Sequence, residues 1–225
     1  PHRTIIALLT LCLASAAFAE SPTDWPTWRG PDRDGLSRET GLLQEWPDDG
    51  PPLVYKSDGL GGGYASVAIV GDRIYTSGTS RGKSMLICLN KADGSKVWET
   101  EIGGGSEPNG TPTVDPKGEF VIAMSKNGDV LCADAKTGDA RWTKNFKADF
   151  GGRMMSGWGY SESPLIDGDK VICTPGGIEH LQVSRLVVPR VVDEFGLEAE
   201  EVEHGCGDGD GKQAQHLFQS GIAAK

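Results

Sequence analysis

The sequence predicts an all-β fold of short antiparallel strands grouped in repeating units, on three observations. First, "CLNKADGSKVW" (Cys88–Trp98) and "CADAKTGDARW" (Cys132–Trp142) match feature for feature. Cys88 answers to Cys132, Asn90 to Asp134, Asp93-Gly94 to Thr137-Gly138 and Trp98 to Trp142, all at one offset of 44 residues. Second, each copy sits inside a unit of four apolar runs separated by turn residues at the same places. Third, the chain holds 32 glycines in 225 residues, about twice the usual share of roughly 7%, spread along its length as turns require. Four strands per unit at a period in the forties fit the blades of a β-propeller. Leucine-rich repeats need shorter units, and helical repeats need a 3.6-residue period that is absent.

The first unit, about 64–102, contains "SVAIVG", "RIYTSG", "SMLICLN" and "KVWETEI", with turns at Gly71-Asp72 and Asp93-Gly94. The second, about 111–146, repeats the order as "TPTVD", "EFVIAMS", "DVLCADA" and "ARWTKNF". A third begins at 163 with "SESPLIDGDKVICTPGG", where Ser163-Pro164 answers to Thr111-Pro112, and its pattern stops near Gly177. The expectation is therefore two full blades and part of a third, an incomplete propeller. The outer tryptophans are expected to pack against the adjoining blade, and Gly94 and Gly138 to make the tight reversal before them.

Residues 20–63 read as an extended N-terminal segment. Trp25, Trp28 and Trp46 lie among Pro and Gly, a pattern of irregular extended chain pinned by large side chains, and Pro52–Lys56 is a strand candidate. Tyr55, 43 residues before Trp98, takes the place of the outer-strand aromatic of an earlier blade. Residues 1–19 have the layout of a secretory signal: His2 and Arg3, an apolar run from Ile5 to Leu13, and Ala17-Phe18-Ala19 as the cleavage site, with processing after Ala19. The apolar run is too short for a stable membrane-spanning anchor. Cys12 follows Leu11, where a lipoprotein signal carries a small residue, so no lipid anchor is expected. Export to a periplasm or beyond follows. Residues 178–225 read as a divergent tail, disordered or out of frame, with the chain either a piece of a longer propeller or a short protein with its own tail.

The formal net charge of −10 argues against nucleic acid as a partner. Export permits disulfides, but Cys88 and Cys132 hold equivalent positions in successive blades, too far apart to bridge, and read as small buried apolar residues. No cysteine or histidine has zinc-site spacing. "GTSRGKS" (Gly78–Ser84) has too few residues between its glycines for a phosphate loop and reads as a hairpin. "GCGDGDG" (Gly205–Gly211) lacks the glutamate of a calcium loop. Asn109-Gly110-Thr111 is a formal glycosylation sequon, to which a bacterial-type export signal gives no weight.

The two eleven-residue copies resemble the tryptophan-docking repeat of quinoprotein propellers, with Cys88 and Cys132 where that family usually has Ala. "WPTWRGPDRDGLS" and "WGYSESPLIDGDKVICTPGG" extend the likeness to exported pyrroloquinoline-quinone (PQQ)-repeat propellers, over about Asp24 to Gly177. The resemblance implies seven or eight blades, which need roughly 300–350 residues. It also implies two functional classes. In dehydrogenase members an Asp base, a calcium ion and a stacking floor hold PQQ around the axis, often beside an adjacent Cys-Cys disulfide. This chain has no Cys-Cys pair, and no catalytic Asp or Glu can be carried over to it. Non-catalytic members such as the BamB-like assembly factors use the same scaffold for binding. The chain is accordingly expected to be a scaffold without cofactor or metal, its partner a protein or small ligand on a propeller face. The alternative is a PQQ- and calcium-dependent dehydrogenase of alcohols or sugars. The binding candidate is the glycine-rich loop Arg153–Ser163, with Arg153, Trp158, Tyr160 and Glu162. There Trp158 and Tyr160 are expected either to plug the gap between blades or to meet a ligand.

Overall fold

A computed structural model describes residues 23–154, 156–168, 170–176 and the strand Arg185–Val187. The first unit folds as β1 (Ala68–Val70), β2 (Arg73–Ser80), β3 (Lys83–Asn90) and β4 (Lys96–Gly104). The second gives β5 (Thr113–Val114), β6 (Phe120–Met124), β7 (Asp129–Asp134) and β8 (Ala140–Asn145). Each is a four-stranded antiparallel meander in chain order. The third sheet has β9 (Leu165–Asp167), β10 (Lys170–Ile172) and β11 (Arg185–Val187), in the order β11-β10-β9. None of the sheets closes into a barrel, so the architecture is that of an incomplete propeller. Strand β11 lies within the segment 178–225 set apart above as a tail, and its backbone extends the third sheet.

The two full blades repeat in detail. Cys88 lies opposite Trp98 and Cys132 opposite Trp142, and in both blades the register slips directly after the cysteine. That slip is a β-bulge, which twists the outer strand locally. The following turns also agree. Gly94 N–H donates to Asn90 O at 2.8 Å and Gly138 N–H to Asp134 O at 2.9 Å. The side chains of Asn90 and Asp134 accept backbone N–H groups from their own turns.

Packing follows from strand alternation, since successive side chains point to opposite faces. In β6, Val121 and Ala123 face the first sheet, where they join Tyr75, Leu86 and Cys88. Phe120, Ile122 and Met124 face the third sheet, where they meet Ile166, Val171 and Cys173. The middle sheet is therefore buried on both faces. That is why "FVIAM" and "VLCA" read as unbroken apolar runs and not as alternating ones.

The chain departs from expectation in three places. A five-residue helix, α1 (Phe146–Phe150), follows β8, with the Asn145 side chain accepting from Lys147 N–H and Ala148 N–H. Such an N-cap offsets donors that no helix of this length can satisfy internally. The expected strand Pro52–Lys56 pairs with no strand among the described residues, and its Tyr55 instead meets the first sheet's turn. Of the three N-terminal tryptophans, only Trp25 is pinned, while Trp28 and Trp46 are 59% and 73% exposed.

The pinned stretch crosses all three sheets. Trp25 forms a two-way bridge with Ile69 of β1, at 2.7 and 2.8 Å. Pro26 O accepts from Val114 N–H of β5 at 2.9 Å. The Arg33 guanidinium donates to Ile166 O of β9 at 2.7 Å. Residues 25–33 thus clasp the innermost strand of each sheet in turn.

Candidate functional site

The outer aromatic of the first sheet lies on the turn of the second, and Tyr55 of the N-terminal segment lies in the same way on the turn of the first. A β-carbon added to Gly138 would stand 2.7 Å from the Trp98 ring, and one added to Gly94 would stand 2.7 Å from Tyr55. Both glycines have φ in the left-handed region, at 80° and 71°. Glycine is therefore required twice over, by backbone conformation and by the ring above it. Two residues further on the contact repeats: Thr100 Oγ1 donates to Gly138 O at 2.6 Å and Ser57 Oγ to Gly94 O at 2.7 Å. Tyr55 also donates from its hydroxyl to Lys91 O at 2.9 Å. So Tyr55 and Ser57 do for the first sheet what Trp98 and Thr100 do for the second.

A second periodic contact joins the inner ends of the sheets. Ser66 N–H donates to Thr111 Oγ1 at 3.1 Å, and Thr111 N–H donates to Ser163 Oγ at 3.0 Å. The hydroxyl at the head of each unit thus caps the backbone of the unit before it. A third tie is Asp129, whose carboxylate accepts from Gly104 N–H, Ser125 Oγ and Asn145 Nδ2 at 2.8, 2.8 and 2.7 Å. Sequence reasoning missed Asp129, because one acidic residue in a turn has no periodic partner to mark it.

The loop Arg153–Ser163 joins the second sheet to the third. Its two aromatics have opposite fates. Tyr160 packs edge-on against Phe146 at 4.8 Å between ring centres and donates to Pro175 O at 2.7 Å. It also covers Gly128, so it plugs the gap between the blades. Trp158 does not plug it: its ring is 73% exposed. Its backbone is nonetheless held, because Asn109 Nδ2 donates to Trp158 O and Ser161 Oγ, both at 3.0 Å. Asn109, the sequon residue, is engaged in this way. Arg153 is exposed, its backbone N–H meeting Gly176 O at 3.2 Å.

Glu162 points back into the fold. Its carboxylate accepts Thr174 N–H at 2.7 Å and the Thr174 hydroxyl. Burial raises its pKa above the ordinary glutamate value, and the two Thr174 hydrogen bonds partly oppose that rise. Cys88, Cys132 and Cys173 are free and buried. Burial pushes the thiols of Cys88 and Cys132 up to about 12, which makes them poor nucleophiles. Asp134 lies below the usual aspartate range because the Arg141 guanidinium bonds to it at 2.8 Å and backbone N–H groups add to the effect. Among the described residues, no three His, Cys, Asp or Glu side chains converge as a metal-binding group. No helix among them is long and apolar enough to cross a membrane.

Four-stranded antiparallel sheets packed face to face, the first docking its outer tryptophan on the second's turn glycine, are the architecture of a β-propeller repeat protein. Residues 82–185 match the family described as outer membrane protein assembly factor BamB. No curated protein matches this chain. Among solved structures, BamB from Moraxella catarrhalis is similar at 19% identity and a TM-score of 0.35, over 49% of this chain and 30% of that one. Quinohemoprotein alcohol dehydrogenase from Comamonas testosteroni is similar at 21% identity and a TM-score of 0.46, over 76% of this chain and 25% of that one. The quinohemoprotein alcohol dehydrogenase ADHIIG from Pseudomonas putida HK5 shares 22% identity at a TM-score of 0.41, over 56% and 19% of the two chains. This chain therefore spans no more than 30% of the length of any of the three.

Proposed function

We propose that this is an exported, non-catalytic binding or assembly scaffold that meets its partner through the loop carrying Trp158. One observation carries the reading. The polar groups of that loop end are already engaged within the fold, Glu162 by Thr174 and Asn109 by the loop backbone. The Trp158 ring, on a backbone held in place, faces solvent. A pre-positioned aromatic with little left to order is the kind of group that anchors a protein contact. By analogy with the assembly factor whose family it matches, the partner is an extended strand-forming segment of an outer-membrane protein.

The test is fluorescence titration of the full chain with strand-forming peptides from an outer-membrane β-barrel. Binding is expected to shift Trp158 emission, and Trp158→Ala to weaken it at least tenfold. Unchanged affinity in that variant, or no binding at all, defeats the reading. Equilibrium dialysis against PQQ with calcium addresses the dehydrogenase alternative, and one PQQ bound per chain decides for it. Export is tested separately: residues 1–25 fused to a reporter are expected to direct secretion with a mature end at Glu20, and an uncleaved cytoplasmic reporter refutes it.

A further inference from the structure

The strand ends on the side of the loop Arg153–Ser163 form one face. The hairpin after β2 ends there, with Lys83 opposite Gly104, as do the loops 105–112 and 146–163 that lead into the second and third sheets. Hydrogen bonds tie this face into one network. Thr79 Oγ1 donates to Gly62 O at 2.8 Å and accepts from Glu107 N–H at 2.7 Å. Tyr64 N–H donates to Pro108 O at 2.9 Å, and the next residue, Asn109, holds Trp158 O. Two rings therefore stand on backbone fixed by consecutive residues of a single loop. Both face solvent, Tyr64 being 69% exposed and Trp158 73%.

The charges of this face are unevenly committed. Its loops hold three carboxylates, and each has a partner: Glu107 lies 4.0 Å from Lys126, Asp149 lies 3.6 Å from Lys144, and Glu162 is bonded to Thr174. Lys83 is paired in turn with Glu101 at 2.8 Å. Arg81, Lys147 and Arg153 are exposed, and no carboxylate among the described residues pairs with any of them. On a chain of formal net charge −10, the uncommitted charge of this face is thus positive. Exposed rings beside unpaired cations complement a segment that brings apolar side chains and carboxylates together. Resting on the reading that the Trp158 loop meets a protein segment, we infer that this segment is acidic: it lies across Tyr64 and Trp158 and sets its carboxylates against Arg81, Lys147 and Arg153. A neutral segment gains the two rings alone, whereas an acidic one gains charge pairs at the rim as well. Rim charges act on encounter and on the choice between partners more than on raw affinity. The rings therefore carry the affinity and the three cations the preference, and salt screens only the second.

The test uses the full chain and two dye-labelled forms of one strand-forming peptide from an outer-membrane β-barrel. One form keeps its Asp and Glu residues, and the other has Asn and Gln in their places. Anisotropy titration is expected to favour the acidic form at least tenfold at low salt, and the preference to vanish at about 1 M salt, where the Debye length is about 3 Å. Lys147→Glu with Arg153→Glu, both at exposed positions, is expected to abolish the preference while the affinity for the neutral form and the urea unfolding midpoint stay unchanged. Tyr64→Ala is expected to weaken both forms at least fivefold. Equal affinity for the two forms, or a Tyr64→Ala variant that binds as the original does, overturns the inference and leaves the Trp158 reading standing. Equal affinity together with salt-sensitive flotation on phosphatidylglycerol vesicles gives the cations to a lipid surface instead. Binding of neither form overturns both the inference and the reading beneath it.

Discussion

Gly94 and Gly138 show how one residue type serves two constraints. Each turn needs a left-handed backbone, and each lies under an aromatic ring with no room for a β-carbon. Gly138→Ala is expected to cost about 1–2 kcal/mol from backbone conformation and more from displacing Trp98. Urea unfolding measures it, and a loss below about 0.5 kcal/mol would mean that the ring does not rest there. Asp134 gives a pH signature. Its folded pKa is depressed, chiefly by Arg141, so its stabilisation is complete above the unfolded aspartate value near 4 and is lost as pH falls through the folded value. The ion pair is about one-third exposed on each side, which holds its own contribution to about 0.2–1 kcal/mol. Asp134→Asn is expected to flatten the acid limb of a stability profile between about pH 5 and pH 3, and an unchanged limb assigns the acid loss to other carboxylates.

The paired outer strands β4 and β8 carry the same tryptophan in different surroundings. Trp142 is 9% exposed within the core between the second and third sheets. Trp98 is half-buried and leaves its indole N–H without a partner. Trp142→Ala is therefore expected to cost about 3–5 kcal/mol, the range for a large buried aromatic, and Trp98→Ala clearly less. Denaturant midpoints compare the two. A reversed order contradicts the burial argument, and losses below about 1 kcal/mol for both contradict aromatic docking itself. The repeat was readable in these strands because the register slip, the turn and the ring recur at fixed positions. Helix α1 was not readable, since its capping residue Asn145 and its glycine stop appear once and have no counterpart in the first blade.

Across the molecule, the sheets are held together at three radii: hydroxyl caps from Thr111 and Ser163 inside, shared apolar cores between, and docked aromatics outside. The clasp formed by residues 25–33 adds a tie that no single blade contains. Its removal should loosen the inner strands before the outer ones. In a variant lacking residues 23–33, the Val114 amide, now bonded to Pro26 O, is expected to exchange at least tenfold faster, while Cys132 in β7 keeps its protection. Equal loss at both amides would show that the clasp supports the whole fold and not the inner rim.

The residues in order were enough for the strands of the two full blades, their turns and the period. All of these depend on neighbours within one blade, and a repeat writes such neighbours at constant spacing. The same reading could not separate Trp158 from Tyr160, two aromatics in one glycine-rich loop. Packing against Phe146 and a hydrogen bond to Pro175 O fixed Tyr160 inside, and Asn109 held Trp158 out by its backbone. Nor could it place Arg33 on Ile166, because that contact joins segments that occur once and lie far apart along the chain. Local spacing specifies a blade, whereas contacts between blades depend on how their faces meet in space.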